Sequence, residues 1–203
     1  MSCLPNMVIM CPSDEAELFH MVATAVAYDD GPSALRYPRG EGVGCNIPDT
    51  PEILVIGKGR IVRRGRGLAI LSLGTRLSAS IQAADRLAGI GMNATIADAR
   101  FAKPLDTDLL DDLAKTHHSL LIIEEGSPGG FSAHVMTYLA NQGHLDGPLK
   151  ARAITLPDMF IDHDSQNGQL AFAGLDADGI YSVARKLLPP SSEKLGRKKV
   201  KGA

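Results

Sequence analysis

The sequence predicts an α/β fold built on a largely parallel sheet with helices on both faces. Three observations carry that expectation. Short apolar runs of strand length alternate with amphipathic stretches of about ten to fourteen residues. Glycine, proline and aspartate punctuate nearly every junction. Hydrophobic residues make up 44% of the 203 residues against 22% charged, enough apolar material to bury a core.

The elements are justified in chain order. Leu4 to Met10 form an apolar run ending at Cys11-Pro12, as expected of a buried strand. Ser13 is the expected N-cap of a helix with Asp14 and Glu15 in its first turn and an apolar face of Ala16, Leu18, Phe19, Val22, Ala23 and Val26. That helix is expected to stop near Asp29-Asp30-Gly31-Pro32. A brief strand over Ala34 to Tyr37 follows, closed by Pro38. Strand, helix and strand make one crossover, too small to stand as a domain and expected to leave apolar surface uncovered.

Residues 40–52 read as a link rich in Gly, Pro and Asp. The pattern restarts with Ile53 to Ile56 and Arg60 to Arg63 around Gly57-Lys58-Gly59, then a strong buried strand over Leu68 to Leu73. Gly74-Thr75 leads into a helix over 76–89, followed by a strand over 94–99 and a helix over 107–116 after Pro104. A strand over 119–124, a helix over 131–141 and a strand over 150–156 come next. Asp176 caps a closing helix to Leu188.

Composition excludes several functions. Aromatic residues are 4% with no Trp, which argues against a base-stacking surface or an aromatic-lined sugar groove. The formal charge of -2 hides a basic end, with Lys194, Arg197, Lys198, Lys199 and Lys201 opposed only by Glu193 within 191–203. That segment is expected to be a disordered tail on an acidic body, so nucleic acid is not expected as the partner. Cys3, Cys11 and Cys45 lack CxxC spacing, and no signal peptide or membrane-length apolar run occurs. A cytoplasmic chain with reduced, structural cysteines and no membrane contact is the expectation.

No phosphate-loop, dinucleotide or nucleophile-elbow motif is present. Gly74-Thr75, at a strand-to-helix junction, reads as a turn before it reads as an anion site. Asp162-His163-Asp164 offers adjacent metal-ligand types that do not converge easily on one ion. His117-His118 falls at a helix C-terminus, where capping suffices. Glu124-Glu125 ends a strand on the ligand-facing side of the sheet, but with no acid partner a structural role is favoured over a general base. The most suggestive cluster is Arg36-Tyr37-Pro38-Arg39-Gly40. Its proline fixes the backbone and places Arg39 beyond the strand end, where a guanidinium suits a phosphate or carboxylate ligand or a salt bridge with nearby acids.

Taken in order, several phrases resemble the 1-deoxy-D-xylulose-5-phosphate synthase family. They are Leu4-Pro5-Asn6-Met7-Val8-Ile9-Met10, Pro12-Ser13-Asp14-Glu15, Asp30-Gly31-Pro32-Ser33-Ala34 and Arg36-Tyr37-Pro38-Arg39-Gly40. Then come Ile56-Gly57-Lys58-Gly59, Asp98 to Asp106, Glu124-Glu125-Gly126 with Gly129-Gly130-Phe131, and Leu156 to Ile161. The resemblance implies residues 1–45 as the final β-α-β of a transketolase-type pyrimidine-binding domain, 46–190 as a transketolase C-terminal domain, and 191–203 as the tail. It implies a thiamine-diphosphate and magnesium enzyme that condenses pyruvate with glyceraldehyde 3-phosphate, with decarboxylation, in isoprenoid biosynthesis. Arg39 maps onto the arginine that contacts the substrate phosphate, with Tyr37 in support.

The GDG...N motif and the cofactor-contacting glutamate of that family have no counterpart here. No residue of this chain is therefore expected to be catalytic, to hold the cofactor or to bind metal, and the chain alone is expected to be inactive. Two alternatives stand beside a synthase fragment: a non-catalytic subunit completing a split enzyme, and a fragment of a 2-oxo acid dehydrogenase beta-type subunit. A homodimer, or association with the missing N-terminal portion, is the expected assembly.

Overall fold

A computed structural model describes residues 1–187. The expected tail over 191–203 and the last residue of the closing helix at Leu188 lie outside the described residues. The chain opens with β1 (Val8–Met10), α1 (Glu15–Ala27) and β2 (Ser33–Leu35), and β1 pairs parallel with β2, so the first segment is the crossover read from sequence. Its cap differs from expectation. Asp14, not Ser13, accepts the Glu17 N–H at 2.8 Å, while Ser13 Oγ donates to Asp14 at 3.3 Å. A carboxylate one residue closer to the first turn is the stronger acceptor, and the serine orients it.

The rest of the chain supplies β3 (Arg60–Arg63), β4 (Gly67–Leu73), α2 (Arg76–Ala88), β5 (Thr95–Asp98), β6 (Phe101–Lys103), α3 (Thr107–Thr116) and β7 (His117–Glu124). It closes with α4 (Phe131–Asn141), β8 (Lys150–Ile154), α5 (Gln166–Phe172) and α6 (Ala177–Leu187). A five-stranded sheet has the order β3-β5-β4-β7-β8, with only β3 antiparallel. Strands β4 and β7 lie at its centre and are apolar on both faces because helices cover both. Leu68, Ile70, Leu121 and Ile123 pack against α2 and α6 through Leu87, Ile180 and Ala184. Leu71, Leu73, Leu120 and Ile122 face α3 and α4 through Leu113, Val135 and Leu139. Asp176 accepts the Gly179 N–H at 2.8 Å and caps α6 as read from sequence.

Two elements escaped the sequence reading, and one of them joins the two halves of the chain. Strand β6 leaves β5 through Arg100, which adopts a left-handed φ of 57°, and lies antiparallel on β1 to make a second sheet of order β2-β1-β6. Of the apolar surface expected to be uncovered in this segment, that of β1 is buried. Met7, Ile9 and Cys11 enter the core beside Leu71 and Phe131, and Val8 and Met10 pack with Phe101. Apolar exposure persists on α1, at Val22 and Val26. The other missed element, α5, sits in a polar stretch and is capped by Ser165 Oγ, which accepts the Gly168 N–H at 3.1 Å.

An ionic network gathered on the buried carboxylates of Glu17 and Asp98 reinforces this junction. Glu17 of α1 accepts both Arg100 Nε and Nη2, at 2.8 and 2.7 Å, and meets Arg60 Nη1 of β3 at 2.8 Å. Asp98 lies 3.2 Å from Arg60 Nη2 and accepts the Arg100 N–H at 3.1 Å. The Gly57-Lys58-Gly59 and Pro104-Leu105-Asp106 phrases also meet, Asp106 accepting the Gly59 N–H at 3.0 Å and Lys58 Nζ at 3.2 Å.

Burial pushes the Asp98 carboxyl up to about 6, against the pull of Arg60. A raised acid contributes stability that is complete below its unfolded pKa and is lost as pH rises through the folded one. Lowering the pH from 7 to 5 is expected to stabilise the chain through this group by about 1–1.5 kcal/mol. Asp111 is held low by Lys115, then His144 and Tyr138, and its contribution is lost only below its unfolded value of 3.8, outside that window. Thermal unfolding at the two pH values checks this. Asp98→Asn should remove the gain, and an unchanged pH slope in that variant would refute the assignment.

Candidate functional site

The carboxyl ends of β1, β2, β4 and β7 converge, the usual ligand side of a parallel sheet. Cys11-Pro12 follows β1, Arg36 to Arg39 follow β2, Gly74-Thr75 follow β4, and Glu124 to Gly126 end β7. Together they border a cleft of about 730 Å³ and a neighbouring pocket of about 440 Å³. A small hollow lined by Cys11, Arg36, Tyr37, Thr75 and Glu125 lies between them.

The two arginines singled out from sequence border different spaces. Arg36 lines the larger cleft, and its backbone N–H donates to Met10 O at 2.8 Å, which carries the β2 pairing one residue beyond the strand. Arg39 lines the smaller pocket, is exposed, and makes no ion pair among the described residues. Tyr37 borders both spaces and is 62% exposed.

Two residues that hold the loop of this pocket were not legible in the sequence. Glu15 accepts the Gly44 N–H at 2.7 Å and the Cys45 thiol at 3.4 Å, fixing the loop that follows Arg39. The Gly44 N–H is the main cause holding the Glu15 carboxyl below its ordinary value. A Cβ on Gly42 would stand 2.0 Å from Glu15 Oε1, so the glycine permits that close approach. Gln166 of α5 touches the same loop, since a Cβ on Gly40 would meet its Oε1 at 2.7 Å. The density of glycine across 40–44 was the available signal, but it did not identify the partners.

The other candidates resolve into structural roles. Glu124 is buried and accepts Phe131 N–H at 3.1 Å and Ser132 N–H at 2.7 Å, capping α4 from the end of the adjoining strand. Gly126 and Gly130 wrap its carboxylate, for a Cβ on either would stand 2.7 or 2.8 Å from Oε2. Glu125 lies 3.2 Å from Arg76 Nε and 3.4 Å from Thr75 Oγ1, so the α2 N-terminus at Gly74-Thr75 already faces a carboxylate. His117 Nδ1 meets Leu113 O at 3.1 Å, the helix-capping role read from sequence. Asp164 accepts the Ser165 N–H at 2.6 Å at the start of α5. Burial pushes the Cys11 thiol up to about 11, which leaves it un-ionised near neutrality and inert as a nucleophile. Among the described residues no group of three His, Cys, Asp or Glu is gathered as for a metal, and no helix is long and apolar enough to cross a membrane.

Fold and cleft together define a transketolase-type α/β module. Residues 57–180 match the transketolase C-terminal domain family and residues 1–43 match the transketolase pyrimidine-binding domain; the chain belongs to the transketolase family. Among solved structures, a chain described as a split-gene transketolase in an inactive β4 tetramer superposes with a TM-score of 0.81 at 26% identity. The match covers 93% of the present chain and 60% of that one, so the chain spans about three-fifths of its relative's length.

This family consists of thiamine-diphosphate-dependent transferases. A diphosphate needs free N–H donors or cations, commonly with a divalent metal. In the strand-end cleft the N–H groups of α4 are taken by Glu124 and the start of α2 faces Glu125. The helix N-termini of this cleft are therefore not free to hold a diphosphate.

Proposed function

We propose that the chain is the C-terminal part of a 1-deoxy-D-xylulose-5-phosphate synthase, the magnesium- and thiamine-diphosphate-dependent enzyme that condenses pyruvate with glyceraldehyde 3-phosphate. Residues 1–45 form the end of its pyrimidine-binding domain and 46–190 its C-terminal domain. The observation that carries the reading is Arg39, which leaves the strand end in a Tyr-Pro-Arg-Gly phrase and borders a 440 Å³ pocket with its charge unpaired among the described residues. Such a guanidinium suits the phosphate end of glyceraldehyde 3-phosphate, with Tyr37 as the adjoining wall. Cofactor chemistry then comes from groups on another segment or chain, in the cytoplasm, and this chain alone does not turn over.

A second form of the same reading has specific support: the structural relative is itself a chain of a split-gene transketolase. In that form this chain is a subunit that completes a site with a separately encoded N-terminal half, and the uncovered Val22 and Val26 of α1 offer apolar surface for the contact. The experiment is to mix the purified chain with an N-terminal portion carrying the GDG...N motif and follow product formation. Activity is expected on mixing. Arg39→Ala should raise KM for glyceraldehyde 3-phosphate about ten- to a hundredfold, the usual effect of removing a charge-assisted hydrogen bond, with KM for pyruvate unchanged. Equal effects on both substrates would remove Arg39 from the phosphate site.

A further inference from the structure

At the opposite end of the main sheet, the first residues of β4 and β7 open onto a groove of about 430 Å³. One wall is the turn Arg64-Gly65-Arg66-Gly67, and the other is the end of α3 with Thr116, His117 and His118. Arg63, just before the turn, is paired with Asp85 at 2.8 Å. Arg64 and Arg66 are exposed and make no ion pair among the described residues.

The turn that carries them is held firmly. Gly65 N–H donates to Thr95 Oγ1 at 2.9 Å and Arg66 N–H to Asn93 O at 2.7 Å. The Leu113 carbonyl accepts from His117 Nδ1, so Nε2 is left to accept from the Thr95 hydroxyl at 2.7 Å. A Cβ on Gly65 would stand 2.2 Å from Asn93 O, so only glycine allows this approach. Both arginines therefore spring from a fixed backbone.

The plainest structural role for them would be to answer the carbonyl end of α3. Two of its carbonyls are already served. Asp112 O accepts from Thr116 Oγ1 at 2.6 Å, and Leu113 O from His117. The one opposing charge in the groove is the exposed carboxylate of Asp112.

We propose that this groove binds a small phosphate-bearing molecule, with Arg64 and Arg66 as the guanidinium donors and His118 as a third donor. Two guanidiniums on a rigid turn suit a phosphate group, and the space suits a metabolite. The overall formal charge of -2 disfavours a nucleic acid. The site is separate from the strand-end pocket and does not depend on the function proposed above.

The test is calorimetric titration of the full chain at low salt, with inorganic phosphate and with pyrophosphate. A saturable component is expected that weakens about tenfold on Arg64→Ala or Arg66→Ala, as when one charge-assisted hydrogen bond is removed. It should persist in Arg39→Ala and tighten in Asp112→Asn. Comparable binding of the two probes assigns a monoester, and preference for pyrophosphate assigns a diphosphate. The proposal is overturned by no saturable binding of either probe, by binding that survives removal of both turn arginines, or by binding abolished only in Arg39→Ala. Tighter binding of a short DNA duplex than of pyrophosphate also overturns it.

Discussion

Glu17→Ala is expected to lower the free energy of unfolding by about 3–5 kcal/mol, the usual cost of removing one partner from a buried ion pair. The Glu17 side chain is almost completely buried, and it is the point at which Arg100 and Arg60 converge. Removing it leaves two guanidiniums facing each other, with Asp98 beside Arg60 as the remaining carboxylate. Because these residues act as a unit, Glu17→Ala combined with Arg100→Ala should cost less than the sum of the single changes. The midpoint and slope of denaturant unfolding measure both effects. A decrease below about 1 kcal/mol for Glu17→Ala, the scale of an exposed pair, would mean that the network does not tie α1 to the main sheet.

Glu124→Ala is expected to cost about 3 kcal/mol, because two buried N–H groups at the start of α4 lose a charged acceptor together. Glu124→Gln should cost less, since one amide oxygen can still accept from Ser132 N–H. This also separates the two roles open to the Glu124-Glu125 pair in the sequence. In the mixed enzyme a capping carboxylate affects stability with little change in the pH profile of turnover, whereas loss of a general base removes the acidic limb of that profile. An abolished limb with unchanged stability would reverse the assignment.

The regular elements were legible wherever the hydrophobic period was long and the ends were punctuated. The expected helices over 107–116 and 131–141 coincide with α3 and α4, since Pro104 precedes one start and the turn over Gly126 to Gly130 the other. Strand β6 was hidden because Arg100, an arginine in a left-handed conformation, makes a turn for which glycine would be the usual signal. Helix α5 was hidden because Asp162 to Gly168 is composed like a turn, and its helicity rests on the Ser165 cap. Ile53 to Ile56 have apolar character without forming a strand; Leu54 N–H donates instead to Thr24 Oγ1 of α1 at 2.8 Å. At the candidate site, the chemistry of Arg39 could be read from one phrase. The network of Glu17, Arg60, Asp98 and Arg100 could not, because nothing local in a sequence pairs residues that meet only through the fold.

On the proposed function, this chain carries a substrate-phosphate contact and lacks the machinery of cofactor chemistry. The sharpest check is an assay of the purified chain by itself with thiamine diphosphate, magnesium, pyruvate and glyceraldehyde 3-phosphate, following carbon dioxide release and sugar-phosphate product together. Neither is expected to rise above the protein-free control. Sustained turnover by the isolated chain would overturn the proposed function.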